Sequence, residues 1–310
     1  MKLVPVMWFS VALVSVMLWY GCSRTEPGRS PSTKSKNAIS SLETRPVLKI
    51  GFLSVSRIHA AYDSYAPLAE YLTAHTPYRF RIIIPQTSED LVGFLEERTT
   101  EVAFLGVLDY IDAHRQYGAV ALVKPLNRDR EPVSRSVFIT REDSQLDALS
   151  ELPGHSLALS SYHSTWGNLI PRYGLMRAGI RLEALKSVDN LSEEDEVVQS
   201  VLDGRAEVGA VKDVVAFRRK GDGLRWLHVS DSIPTGPMAI RPDLPTPVVQ
   251  AILRALLTLA PEDAENRSGW NEEIRHGFVR ATDADYDPIR KMLTSRPTGC
   301  EGQCHHQVAF

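Results

Sequence analysis

The chain contains no Gly-x-Ser-x-Gly elbow, no His-Glu-x-x-His pair and no Gly-Lys-Ser/Thr phosphate loop. Those patterns expose a nucleophile, set two zinc-binding imidazoles on one helix face, or wrap a nucleotide phosphate. Without them a hydrolase has no support from motifs, and no cofactor is expected. Positive charge is not in excess either: 35 Lys and Arg stand against 38 Asp and Glu, for a formal net charge of −3. A nucleic-acid binder would carry a clustered basic face, so that class is excluded. No repeat of solenoid period is visible, and no low-complexity block beyond one short linker. Cysteine occurs only at positions 22, 300 and 304. What remains is a chain of 310 residues, 43% hydrophobic. That length suggests two lobes, because single cores stop growing at roughly 250 residues.

The N-terminus is informative. Lys2 is followed by an apolar run from Val4 to Tyr20, interrupted only by Pro5, Ser10 and Ser15, and then by Gly21-Cys22. This is the layout of a secretory h-region ending at a small residue. A run approaching the roughly 20 residues that span a bilayer also fits an uncleaved anchor. The stretch from Ser23 to Arg45 holds six serines, two prolines and five basic residues, with no aromatic. Such a segment buries too little surface to offset its chain entropy and is expected to act as a tether. Apolar run, Gly-Cys, polar tether and globule, in that order, resemble a bacterial lipoprotein. The resemblance implies a signal peptide over 1–22, lipid on Cys22 and a tether over 23–46. Trp19 and Tyr20 depart from the Leu and small residue that pattern prefers. Plain secretion is the third alternative, and all three put the globule outside the cytoplasm.

Strands alternate with helices from position 47. Val47 to Leu53, Phe80 to Ile84 and Val102 to Gly106 read as buried strands. A helical pattern through Tyr65, Leu68, Ala69 and Leu72 separates the first two, and Ser88 suits the N-cap of a helix carrying Leu91, Phe94 and Leu95. The pattern restarts with strands at Val137–Thr140, Ser156–Leu159 and Val208–Val211. A helix is expected from about Thr165, another after Ser192-Glu193-Glu194-Asp195 with Gly204 closing it, and a third over Pro247 to Leu259. The alternation implies βαβ units and mainly parallel sheets. Two blocks with a return segment predict lobe 1 over 47–134 and 237–296, lobe 2 over 135–236, and a tail over 297–310. Ligands of such sheets sit at strand carboxyl ends, in the crevice between lobes.

Three stretches occur in an order and spacing that carry a resemblance. They are Phe104-Leu105-Gly106-Val107-Leu108-Asp109-Tyr110, then Ser164-Thr165-Trp166-Gly167-Asn168-Leu169-Ile170-Pro171, then Gly277 to Tyr286. Together, over about Leu48 to Leu293, the chain resembles the phosphate/phosphite/phosphonate-binding proteins of ABC importers. The resemblance implies an α/β type II periplasmic-binding-protein fold, two α/β lobes joined by a two-crossing hinge. It also implies a small phosphorus oxyanion as ligand, an ABC permease as partner, and a periplasmic or cell-surface location. A monomer, held to a membrane through lipid, is expected. A ligand-sensing lipoprotein with the same fold is the alternative.

The second stretch has a physical reading of its own. Its hydroxyls lie where a strand turns into a helix, and a helix start presents unpaired N–H groups and a positive dipole end. Ser164 and Thr165, with Trp166 and Gly167, therefore suit an oxyanion; a bare N-cap role for Ser164 is the plainer alternative. Tyr110, just past a strand end, is expected to face the crevice. Asp213 occupies the matching place in the second lobe, where a carboxylate could accept a hydrogen bond from P–OH or pair with an amino group. Ser54, with Ser56 and Arg57, forms the first-lobe turn, and any of the three could reach the ligand, Ser54 being the one expected to. Where the family often has a tyrosine this chain has Thr87-Ser88-Glu89-Asp90, and where it has a Ser-His-Asp-like run this chain has Ser192-Glu193-Glu194-Asp195. The Cys300-x-x-x-Cys304-His305-His306 tail suits a disulfide loop outside the cytoplasm. A transition-metal site on Cys300, Cys304 and His305 or His306, a c-type-haem-like attachment, and free thiols are its alternatives.

Overall fold

The computed structural model describes residues 44–54 and 58–294. The described residues from Arg45 onward belong to one unit, and the fold below is that unit's. The expected roles of Cys22, Ser56, Arg57, Cys300, Cys304 and His305 all lie outside the described residues.

Strand β1 (Val47–Phe52) buries Ile50 and Phe52 completely. Helix α1 (Ile58–His75) turns Tyr65, Leu68, Ala69 and Leu72 inward, the three-and-four spacing that one helix face requires. Strand β2 (Arg79–Ile83) leads to α2 (Ser88–Glu96), then β3 (Val102–Phe104), α3 (Val107–Tyr117) and β4 (Val120–Pro125). The cap of α2 is Thr87, one residue before the expected Ser88; its side chain accepts the Asp90 N–H at 3.0 Å.

The chain then crosses through β5 (Val133–Ser134) into a second sheet. That sheet takes β6 (Ser136–Arg141), β7 (Ser156–Leu159), β8 (Ser187–Asn190), β9 (Val208–Lys212) and β10 (Leu224–Val229). Its helices are α4 (Ile170–Arg177), α5 (Glu194–Leu202) and α6 (Asp213–Arg218). The return runs through β11 (Ile233–Pro234) to β12 (Met238–Ile240), α7 (Thr246–Leu257), β13 (Phe278–Arg280) and α8 (Asp287–Thr294). Strands β5 and β11 pair with each other, so both crossings travel together as one two-stranded ribbon.

The sheets are mixed rather than mainly parallel. In the first, ordered β13-β4-β12-β3-β1-β2, only β1 with β2 and β1 with β3 pair in parallel; in the second, ordered β10-β6-β9-β7-β8, only β7 with β8 and β7 with β9 do. The reason is the crossing. A strand that enters a lobe from the hinge starts where its neighbours end, so β6 and β12 must run against β9 and β3. The parallel strands thereby all aim their carboxyl ends at the space between the lobes.

Candidate functional site

That space is a cleft of about 520 Å³. Lobe 1 contributes Leu53 past β1, Tyr65 of α1, Gln86 to Glu89 around the start of α2, Leu105 and Gly106 past β3, and Asp109 of α3. Lobe 2 contributes Ser161, His163 to Trp166, Ser192, Glu194 and Lys212. Gly236, on the return crossing, closes one side. A Cβ there would lie 2.2 Å from the Leu105 carbonyl oxygen, so only glycine lets the crossing pass this close.

The Ser164–Trp166 segment is the best-defined wall. Leu169 N–H donates to Ser164 O and Ile170 N–H to Thr165 O, each five residues back, which makes one wide turn ahead of α4. The widened turn belongs to a class found often at functional sites. Ser164 Oγ accepts the Gly167 N–H at 3.0 Å, which leaves its own proton free to donate. Thr165 is 3% exposed, yet its hydroxyl is buried without a hydrogen-bond partner. The N–H groups of Thr165 and Trp166 fall in a first turn, where no intrahelical acceptor exists. Two hydroxyls and two amides thus belong to one turn on the cleft wall. An unpaired buried hydroxyl is costly unless something fills its place.

Gly167, an expected contact, lies behind this turn and is not among the residues lining the cleft. Its N–H serves Ser164 and its carbonyl accepts the Ser160 N–H at 2.9 Å. A Cβ on it would meet Ser160 Oγ at 2.2 Å and Glu194 Oε1 at 3.1 Å. The glycine therefore allows the turn to rest directly on the end of β7.

Three other expected contacts are placed off the wall of this cleft. Tyr110 is 0% exposed, its ring 4.8 Å from that of Tyr286 and its hydroxyl donating to Asp283 at 3.0 Å. Helix α3 begins at Val107, so Tyr110 falls on its inward face beside Ile111 and not on the rim. Tyr110→Phe should lower stability by about 1 kcal/mol and leave ligand affinity unchanged, readable by melting and titration of the same sample. Asp213 faces a different cavity, of about 500 Å³, beside the hinge. Its carboxylate accepts from Ser134 Oγ, Arg135 N–H and Val214 N–H, and so fastens α6 to the first crossing. Ser54 is half-buried past the end of β1, and its neighbour Leu53 takes the place on the wall.

Sequence reasoning missed the charged residues of the cleft. Lys212 ends β9 and pairs with Glu273 of lobe 1 at 2.8 Å, joining the lobes. Burial alone would lower the Lys212 pKa, but Glu273, Glu194 and Asp213 outweigh it and hold it above its ordinary value. Glu194 opens α5 and accepts the Lys212 N–H at 3.0 Å; burial pushes its carboxyl up to about 7. Burial likewise pushes Asp109 up to about 6, with Glu89 adding to the rise and His163 opposing it. His163 reaches across to Glu89 at 3.1 Å, an exposed pair that contributes little. The visible signal for Lys212 was a charged residue closing an apolar strand. Glu194 gave a weaker one, an acid in place of the family's histidine-bearing run.

Two mixed sheets, a paired double crossing and a polar cleft at the strand ends define a two-lobe periplasmic binding protein. The profile of the family described as "ABC transporter, phosphonate, periplasmic substrate-binding protein" matches residues 50–286, and the chain belongs to that family. It is therefore the periplasmic, phosphonate-binding component of an ABC transporter, working with a permease, and not an enzyme. Similar solved structures include a binding protein component of an ABC phosphonate transporter from Pseudomonas aeruginosa. It is 18% identical, with a TM-score of 0.68 over 80% of this chain and 85% of that one. PhnD1 from Prochlorococcus marinus, solved with methylphosphonate, is 16% identical, with a TM-score of 0.69 over 79% and 96%. XAC2383 from Xanthomonas citri, solved with ATP, is 19% identical, with a TM-score of 0.64 over 79% and 95%. At these identities the likeness shows the fold alone. No curated protein sequence matches the chain. Among the described residues no helix is long and apolar enough to cross a membrane.

Proposed function

We propose that the cleft holds a small phosphorus oxyanion, a phosphonate ahead of phosphite or phosphate, with its oxygens on the Ser164–Thr165–Trp166 turn. The observation that carries this reading is the Thr165 hydroxyl, buried at the cleft wall without a partner. A phosphonate oxygen would satisfy it together with the turn's free amides, in the way helix starts commonly receive anions. The opposite wall carries Asp109 and Glu89, which suits a cationic group at the far end of the ligand, as in an aminoalkylphosphonate. Residues 47–134 with 237–296 would then close on residues 135–236 about the β5–β11 ribbon. A lipid on Cys22 and the serine-rich segment 23–46 would hold a monomer near its permease.

The test is a thermal-shift screen against phosphate, phosphite, methylphosphonate, aminoethylphosphonate and sulfate. A ligand at 100 times its Kd adds about 2.7 kcal/mol. The expected result is a shift with phosphonates, largest for aminoethylphosphonate, and none with sulfate. Equal shifts with sulfate, or silence with every phosphonate, would refute the reading.

A further inference from the structure

The cleft offers an anion no free cation. Among the described residues lining it, the basic groups are Lys212, taken by Glu273, and His163, taken by Glu89. A bound oxyanion needs compensation from somewhere else, and one buried positive charge stands behind the turn. Arg172, on α4, is 6% exposed. Its Nε donates to Asn168 Oδ1 at 2.8 Å and its Nη2 to Asn190 Oδ1 at 3.0 Å, while the Tyr162 ring lies 5.3 Å from its Cζ. All these partners are neutral. Arginine is rarely buried unless paired with an acid, because an uncompensated charge in the interior is costly.

The network around it leads to the turn. Asn168, which holds the guanidinium, also donates to the Ser160 carbonyl at 2.6 Å. Ser160 in turn carries the contact with Gly167 on which the Ser164–Thr165 wall rests. We propose that Arg172 supplies the positive charge for the oxyanion from behind the turn, through space and not through contact. The inference rests on the oxyanion binding at Ser164 and Thr165. Thr165 and Arg172 lie seven residues apart along the wide turn and α4, roughly 10 Å of backbone rise. In an interior of effective dielectric about 20, one unit of ligand charge at that distance gains about ten-fold in affinity. A doubly charged ligand gains about a hundred-fold, since the attraction scales with its charge.

That scaling separates a field from a structural role. Methylphosphonate is titrated calorimetrically at pH 5.5, where it carries one charge, and at pH 9, where it carries two. Each variant is compared with the native protein at the same pH. Arg172→Gln is expected to lose about ten-fold at pH 5.5 and about a hundred-fold at pH 9. Arg172→Lys, which keeps the charge, should stay within about three-fold of the native protein. Asn190→Asp leaves the arginine in place but gives it a carboxylate, and should weaken binding as Arg172→Gln does; it covers the case in which Arg172→Gln fails to fold. Equal losses for the Gln and Lys variants, or a loss independent of ligand charge, would overturn the proposal. So would undiminished binding by Asn190→Asp. A native protein that does not bind methylphosphonate removes the oxyanion site itself, and this inference with it.

Discussion

Ser164→Ala combined with Thr165→Ala is expected to abolish phosphonate binding, weakening it by about a hundred-fold or more, in a protein that still folds. Each hydroxyl would donate to a charged oxygen, and such bonds contribute about 1.5–3 kcal/mol apiece; two of them reach about two decades or more in Kd. The cost to the fold is smaller and has two sources, the Ser164 cap and the buried Thr165 methyl. Ser164 caps the turn through Gly167 N–H, and losing such a cap costs about 1 kcal/mol. Thr165 Oγ1 has no partner, so removing it breaks no internal hydrogen bond. Thr165→Val alone therefore separates the two effects: affinity should fall by about ten-fold or more, with the melting temperature unchanged or raised. Calorimetric titration and melting check both. Retained affinity in a folded double variant would move the ligand elsewhere.

Glu194→Gln should change the pH dependence of binding. Burial raises the Glu194 carboxyl to about 7, so in the free protein it is neutral near pH 5 and ionised near pH 8. As an acid it would not oppose a phosphonate in the cleft; as a carboxylate it would repel one. Affinity for an anion is therefore highest below about pH 6 and falls as pH rises through about 7, in step with the raised values of Asp109 and Glu194. The same sign holds for the fold: the native state binds the extra proton, so stability is lost as pH rises from the ordinary carboxylate range through about 7. Glutamine stays neutral throughout. The variant should match the native protein at pH 5 and bind methylphosphonate about ten-fold more tightly at pH 8. Comparing the two at each pH removes the ligand's own titration. A ratio that does not change with pH would place Glu194 outside the anion's field.

The outline of the fold was legible because strand and helix periods dominate the chain. Val47, Ser156 and Val208 each open an apolar run that became a strand, and the capped turn at Ser164 stood out as hydroxyls between strand and helix. Strand direction was not legible, since the antiparallel entries of β6 and β12 follow from the crossings and not from any local pattern. Nor was side-chain aim near helix starts. Tyr110 is the fourth residue of α3, where the inward face overrides its nearness to the strand end. Asp213 is the first residue of α6, and its carboxylate turns back to the Ser134 hydroxyl and the Arg135 amide of the hinge instead of forward to the cleft. Lys212 and Arg172 were missed for a related reason. Each has an aliphatic stem that tolerates burial, and its electrostatic role depends on partners distant in sequence or on their absence.

The most direct measurement is a crystal structure of the protein with methylphosphonate bound. The phosphonate is expected between the lobes, with its oxygens within hydrogen-bond reach of Thr165 Oγ1, Ser164 Oγ and the Thr165 and Trp166 amides. Density for it in the hinge-side cavity beside Asp213 and Arg275, with the Thr165 hydroxyl still unpartnered, would contradict the account.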